Sequence, residues 1–325
     1  MMGDFIYRAF CWDDLPVLVE MLNRAAEVDH EESRYTVEML RHQFEMPDFS
    51  PENNVLVVTT PEGQMVGSGL IRLMFGMGRG WGSCVVAPEY RQQGIGTRLI
   101  RLGDARILEL CDGAVEANTP IHVRRAFMEP NPGCEALFES EGYRLIRYFY
   151  KMRISLDVPL EPPAFPEGIT LRPFDRERDS MAVYEAEMDA FSEHWGFLRM
   201  PYESWEHTLM VPDRFDPTLW LIAWDGDEVA GMSLNRRWGD DQPELAWVDV
   251  LCVGRPWRKR GLGAALLNQS FYLFQQRGYT LAGLNVDADN TTNAVSLYER
   301  VGMHVHSRQA FYRKVLRGRE EDIQD

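Results

Sequence analysis

Apolar and polar positions follow one another along this chain in two passes that share a single order. Runs rich in branched and aromatic residues read as strands at 5–10, 55–60 (VLVVTT), 66–74 and 81–86. They recur at 169–174, 219–224 (LWLIAW), 229–238 and 245–253. Stretches with apolar residues near every 3.6 positions predict helices over 15–29 and 36–44, and over 179–191 and 202–209. The turns PEGQ and DGDE each place a glycine among polar residues between two strands, the composition of a hairpin. Later in each pass a glycine-rich turn opens a long helix. In the second pass this is 261–278, GLGAALLNQSFYLFQQRG, where Leu262, Leu266, Phe271 and Phe274 share a face and Gly278 marks the stop.

The passes are copies. RAF at Arg8 matches RPF at Arg172, and QMVGSGLIRLM from Gln64 matches EVAGMSLNRRW from Glu228, both at an offset of 164. VAPEYRQQGIGTRLI from Val86 matches VGRPWRKRGLGAALL from Val253 at 167, and LFESEGYRL from Leu137 matches LYERVGMHV from Leu297 at 160. Four landmarks in one order describe a duplicated mixed α/β domain of about 150 residues. Between the copies, LDVPLEPPAFPEG holds four prolines and neither period, so it reads as an extended linker. The expected boundaries are an N-terminal domain at 1–155, a linker at 156–168 and a C-terminal domain at 169–325.

Composition narrows the chemistry. The net charge is -16, with 23 acidic against 16 basic residues up to position 160 and 27 against 18 beyond it. Acidity spread over both copies repels nucleic acid and anionic membranes. It suits either plain solubility or an amine-bearing substrate. Five cysteines, Cys11, Cys84, Cys111, Cys134 and Cys252, with no CxxC, read as reduced thiols and not as a disulfide framework or a zinc site. His304 and His306 alternate on a late strand without further ligands at metal spacing. No basic segment followed by an apolar run opens the chain, and no apolar stretch reaches the ~18 residues of a membrane span. The expectation is a soluble cytoplasmic protein, monomer or homodimer, with no metal, nucleic acid or membrane among its partners.

Against that acidity, RPWRKRGLGAALL sets Arg258, Lys259 and Arg260 beside Gly261 and Gly263 where a helix begins. Glycines permit a tight turn and close approach to the backbone. A helix N-terminus leaves N–H groups unpaired and partly positive. Together they form an anion site suited to pyrophosphate, with Arg258, Lys259 and Arg260 as point charges at its rim. The spacing is neither the dinucleotide GxGxxG nor a GxxxxGK[ST] loop. Copy one repeats the arrangement with Arg91, Gln92, Gln93, Gly94, Ile95 and Gly96 after Val86.

This [Q/R]-x-x-G-x-[G/A] turn between strand and helix resembles the acetyl-CoA pyrophosphate signature of the GNAT acyltransferase superfamily. The later DADNTTNAVSLYERVGM, from Asp287, is similar to that superfamily's second signature. The resemblance spans both copies and implies tandem domains, each a mixed, mostly antiparallel sheet flanked by helices, using acetyl-CoA as acyl donor. It implies that the backbone of Leu251, Cys252 and Val253 pairs with the pantetheine arm. The amides of Arg258, Lys259, Arg260, Gly261, Leu262, Gly263 and Ala264 would hold the pyrophosphate. Asn290, ahead of a helix expected over 292–300, is a helix cap, a pantetheine ligand or both. Tyr298 is a core aromatic or, by resemblance, the acid that protonates the leaving thiolate. Copy one has Phe138 at that place and Pro130 at that of Asn290, so copy two is expected to be catalytic.

A base is needed to free the attacking amine. Asp249 lies in AWVDVLCV, where burying an acid is costly. By strand parity it should face the side of Leu251 and Val253. It is the candidate base or a structural carboxylate, with Glu244 and Asp287 as further choices. Trp247 stands where the superfamily often has a glutamate. Cys252, of opposite parity to Leu251, is expected buried and inert. Asp189, Glu193, His194 and Trp195 in DAFSEHWGF offer charge and an aromatic wall for an acceptor cation, or are a solvated helix end with a core tryptophan. The leading expectation is an acyl-CoA N-acyltransferase acting on a primary amine of a small molecule or peptide, by direct transfer in a ternary complex. The alternatives are a non-catalytic acyl-CoA sensor and, within enzymes, a mycothiol-synthase-like step or antibiotic N-acetylation.

Overall fold

The computed structural model describes residues 4–32, 34–74, 77–211, 214–290 and 294–323. The chain forms two compact units, one of Met1–Arg147 with Gln309–Gln324, the other of Tyr148–Arg308. The first contains β1 (Ile6–Ala9), α1 (Leu15–Val28), α2 (Val37–Phe44), α3 (Pro51–Asn54), β2 (Val55–Thr59), β3 (Met65–Met74), β4 (Arg79–Val86), α4 (Ile95–Cys111), β5 (Ile121–Met128) and α5 (Pro132–Ser140). Next comes β6 (Arg144–Ser155), most of which belongs to the second unit. That unit continues with β7 (Ile169–Arg172), α6 (Arg176–Phe191), α7 (Tyr202–Leu209), β8 (Leu221–Asp225), β9 (Glu228–Gly239), β10 (Gln242–Val253), α8 (Leu262–Gln276), β11 (Leu281–Asp287) and α9 (Ala294–Arg300). The last strand is β12 (His304–Arg317).

Each unit carries a mixed, mostly antiparallel sheet flanked by helices. In the first, β1 to β4 run antiparallel to their neighbours and β4 meets β5 in parallel. Residues Gln309 to Arg317 of β12 then pair antiparallel with β5. In the second, β7 to β10 are antiparallel, β10 meets β11 in parallel, and Phe149 to Ser155 of β6 pair antiparallel with β11. The unit boundaries therefore differ from those of the sequence repeat. The strand that follows α5 builds the second sheet, and the strand that ends the chain closes the first. Each strand takes the place in one sheet that the repeat would give to the other, an exchange that the sequence repeat does not mark.

Most elements begin where the pattern places them, with local reasons. Thr36 caps α2 by accepting from the Met39 amide, and Asp175 caps α6 by accepting from that of Arg178. LWLIAW does not start as a strand: Asp216 caps a 3-10 turn at Pro217–Leu219, and β8 opens only at Leu221. The linker has no helix or strand but is fastened. Gln275 donates to the carbonyls of Leu156 (2.6 Å) and Val158 (2.8 Å) and accepts from the Leu160 amide (2.9 Å).

In the second unit Val183, Met188, Trp205 and Met232 are buried on the α6–α7 face, and Leu267, Phe271, Leu284 and Tyr298 on the α8–α9 face. A fully buried polar joint ties turn, strand and helix. Asn235 of β9 donates to the Leu219 carbonyl (2.7 Å) and to the Ser270 hydroxyl of α8 (3.2 Å). Asn235→Ala strands these acceptors and is expected to lower stability by about 2–3 kcal/mol. The measurement is a denaturant midpoint that falls at constant m-value. No helix among the described residues is long and apolar enough to cross a membrane.

Candidate active site

The site starts from a parting of two strands. β10 pairs with β11 only from Leu245 to Val248, matched to Leu281 to Leu284. Beyond that, Asn285 to Asp287 stay with β6, while Val250 to Val253 stay with β9. The edge of Leu251, Cys252 and Val253 that faces β11 is left without ladder partners, a receptor for an extended chain. In the first unit β4 likewise leaves β5 after Trp81.

A bulge sits at the parting. Trp247 and Val248 oppose Arg236 and Asn235, but Val250 opposes Leu234, so Asp249 is the extra residue. This overturns the parity count for Asp249. Val250 and Cys252 pack with Val183, Met188 and Trp205, whereas Leu251 and Val253 pack with Leu262 and Leu266 of α8. Asp249 stands instead toward α6, where its charge acts on Glu187. Its carboxylate is 2.7 Å from the Arg236 guanidinium. About a quarter of the side chain (26%) stays open to solvent; the protein atoms crowded around the rest raise its pKa, and Arg236 and Arg214 partly offset that.

Glu187 is the residue that sequence reading missed. It is 8% exposed on α6, and its Oε2 accepts from the indole N–H of the fully buried Trp205 at 2.8 Å. Its Oε1 has no hydrogen-bond partner among the described residues. Burial pushes the carboxyl up to about 7 against the pull of Trp205, and the charge of Asp249 adds to the rise. The pairing joins residues of two helices 18 positions apart. A glutamate among apolar residues of an expected helix was its only sequence signal.

Tyr298 reaches the same neighbourhood from α9. It is 7% exposed, and its hydroxyl makes no hydrogen bond among the described residues. Burial raises its pKa to about 12, and the nearby Cys252 thiol adds to that. Cys252 is buried, and burial drives its own pKa far up, so it is no nucleophile at neutral pH. In the first unit Phe138 is buried against Phe127, Tyr143 and Tyr312, with no hydroxyl to offer.

The two glycine-rich loops share one backbone form. Lys259 (φ 62°) and Gly261 (φ 86°) are left-handed ahead of α8, as are Gln92 (φ 60°) and Gly94 (φ 82°) ahead of α4. Such alternation aims successive N–H groups into one concavity at a helix start. Gly263 and Ala264, like Ile95 and Gly96, lie in the first turn of their helix. The arginines were expected as point charges at the rim, but the structure uses them as braces. Arg258 binds the Val253 and Ala190 carbonyls (3.2 and 3.1 Å) and Glu193 (3.0 Å). Arg260 binds the Glu167 carbonyl (3.3 Å). Arg91 repeats the brace on the Val86 carbonyl (3.2 Å) and Asp29 (2.7 Å). Lys259 makes no ion pair among the described residues.

The segment after α6 is divided in its tasks. Glu193 is held between Arg255 (3.2 Å) and Arg258, which lower its pKa. Asp189 is exposed, 3.8 Å from Arg199. The His194 ring meets Phe191 edge-on, and its burial lowers its pKa. Trp195 lies 6.3 Å from Phe149, opposite Asp287 in the ladder. The Asn290 amide closes a turn onto the Asp287 carbonyl (3.1 Å). The positions it would cap, Thr291, Thr292 and Asn293, lie outside the described residues, as does the expected start of the helix at Thr292.

Known proteins are similar to this chain in sequence and in fold. The model of the acetyltransferase (GNAT) family matches residues 15–122 and 180–303, one stretch in each copy. A mycothiol acetyltransferase of Salinispora arenicola is 32% identical over 240 residues, 70% of this chain and 71% of that one. Another, of Geodermatophilus obscurus, is 30% identical over 80% of this chain and 82% of that one. A GCN5-related N-acetyltransferase from Sphaerobacter thermophilus superposes with a TM-score of 0.79 at 29% identity, over 98% of both chains. A tandem GNAT protein from the clavulanic acid biosynthesis pathway gives 0.75 at 18% identity, over 98% of this chain and 100% of that one, a likeness of fold. With both copies matched by the family and the tandem architecture shared, the chain belongs to the GNAT family and is an N-acetyltransferase.

Proposed function

We propose that the second copy transfers an acetyl group from acetyl-CoA to a primary amine of a small molecule or peptide, by direct attack in a ternary complex. The observation that carries the reading is Tyr298, whose hydroxyl makes no hydrogen bond among the described residues and lies near Cys252 on the open strand edge. The pantetheine pairs with the open edge of Leu251, Cys252 and Val253 and is bonded by Asn290. The pyrophosphate rests on the amides from Arg258 to Ala264, with Lys259 as the available cation. Asp249, paired with Arg236, orients the acceptor ammonium, and Glu187 takes its proton. The amine lone pair attacks the thioester carbonyl, and the C–S bond breaks. The thiolate takes the Tyr298 proton, and the proton shed by nitrogen restores the phenol. His194 and Trp195 wall the acceptor, while Asp189 meets its exposed end. The mycothiol acetyltransferase relatives put an amino-sugar thiol first in the panel of amines to assay.

The first copy keeps the loop from Arg91 to Gly96 and the open edge at Val86 but has Phe138. It binds acyl-CoA without turnover in this reading. Calorimetric titration of acetyl-CoA tests both copies. At Gly261 (φ 86°) a Cβ meets nothing within 4 Å, so a substitution strains the backbone without a clash, and aspartate is among the residues that visit left-handed backbone. Gly261→Asp therefore adds a negative charge to the cradle and leaves the packing intact. It is expected to weaken one of two sites about tenfold or more and to lower turnover, while Gly94→Asp weakens only the other. Binding that survives both changes overturns the cradle assignment.

A further inference from the structure

The first unit holds a cavity of about 210 Å³ that the transfer chemistry does not use. Leu56, Leu70, Ile71, Leu99 and Leu102 give it an apolar wall, Asn53, Asn54, Ser83 and the Arg106–Glu109 ion pair (3.0 Å) a polar one, and Arg125 lines it as well. Arg125 is 1% exposed on β5. Its Nε donates to the Tyr143 hydroxyl (2.7 Å) and one terminal nitrogen to Asp104 (3.2 Å). The other, Nη1, has no partner among the described residues.

Asp104 also accepts from the Tyr143 hydroxyl (2.5 Å) and from Lys314 Nζ (2.9 Å). Two cations thus face one carboxylate, which leaves the cluster one positive charge in excess. The backbone makes room for it. A Cβ on Gly82 would lie 2.7 Å from Arg125 Nη1, and one on Gly103 would lie 3.0 Å from Nη2.

The charged cluster is not repeated at the matching places of the second copy. The offset of 167 sets Phe271 at the place of Asp104, and the offset of 160 sets Met303 at that of Tyr143. Both belong to an apolar core. On a side chain that is 1% exposed, a guanidinium nitrogen without a protein acceptor leaves positive charge to be met, and a carboxylate ligand meets it with a charge-assisted bond. The wall of four leucines and Ile71 calls for a hydrocarbon body. A cavity of about 150 Å³ holds benzene, so this one fits an acid of about five to seven carbons.

We propose that this cavity is a binding site for a small monocarboxylate with an apolar body, held by Arg125 Nη1 beneath α4. Benzoate and 3-methylbutanoate are the probes, with benzyl alcohol as the neutral match in shape. Replacing Arg125 removes two hydrogen bonds from a buried cluster and endangers folding, so the test variant is Ala105→Phe, which adds bulk to the lining from an exposed position. Titration calorimetry on the full chain is expected to show one benzoate per chain, with benzyl alcohol at least about tenfold weaker. Ala105→Phe is expected to abolish binding while melting at the wild-type temperature. A cavity that holds only water, giving no heat and no rise in melting temperature at millimolar benzoate, overturns the proposal. So does equal affinity for benzyl alcohol, or binding untouched by Ala105→Phe.

Discussion

Tyr298→Phe is expected to lower kcat for acetyl transfer by about 10²- to 10⁴-fold, the range of a lost general acid. The hydroxyl makes no hydrogen bond among the described residues, so its removal strands no partner. Phe138 shows that the fold accepts phenylalanine at the equivalent place. The melting temperature and the affinity for acetyl-CoA should therefore hold, and the loss should fall on kcat alone. With a pKa raised to about 12, the phenol keeps its proton across the working range. No descending limb should arise from it below that value. Steady-state kinetics with any amine shown to be acetylated decides the matter. A kcat within a few-fold of wild type would remove Tyr298 from the chemistry.

Glu187→Gln should act on the opposite side of the reaction and leave a signature in pH. In the wild type, kcat/KM is expected to climb through about 7 as the carboxyl ionises. The variant should lose that limb and about 10²-fold or more of the rate above it. Stability moves the other way. The carboxyl binds its proton more tightly folded than unfolded. Its contribution is therefore intact below 4.5 and lost as pH rises through about 7. That loss is on the order of 3 kcal/mol. The glutamine can still accept from Trp205 and carries no charge to desolvate. The variant should thus gain on the wild type between pH 5 and pH 8 in thermal melts. A gain that is flat with pH would mean that Glu187 is not ionising in this range.

The sequence carried the parts of the site that are local in the chain. The loops are short backbone patterns, and their left-handed residues fall at and near the glycines. The contrast of Tyr298 with Phe138 is visible because the copies align around it. What escaped was tertiary. A bulge adds one residue to a strand without marking it, so strand parity sent Asp249 to the wrong face. Glu187 owes its chemistry to Trp205 on another helix. Arg258 looked like a charge for the ligand because its brace, the end of α6, lies more than 60 residues earlier in the chain. The strand order within each copy was readable from hairpins, but nothing local told β6 and β12 which sheet to join.

That last pairing makes the chain inseparable at its most obvious seam. A protease cut at the proline-rich joint would leave a front fragment without the strand that covers β5. The rear fragment would lack the one that covers β11. Each piece would expose an open sheet edge, a template for aggregation. Neither piece is a self-sufficient acetyltransferase module, and truncation mutants made there would report misfolding instead of the properties of one copy. A nicked molecule whose halves never part is a different case: every strand keeps its partner, and both sheets stay whole.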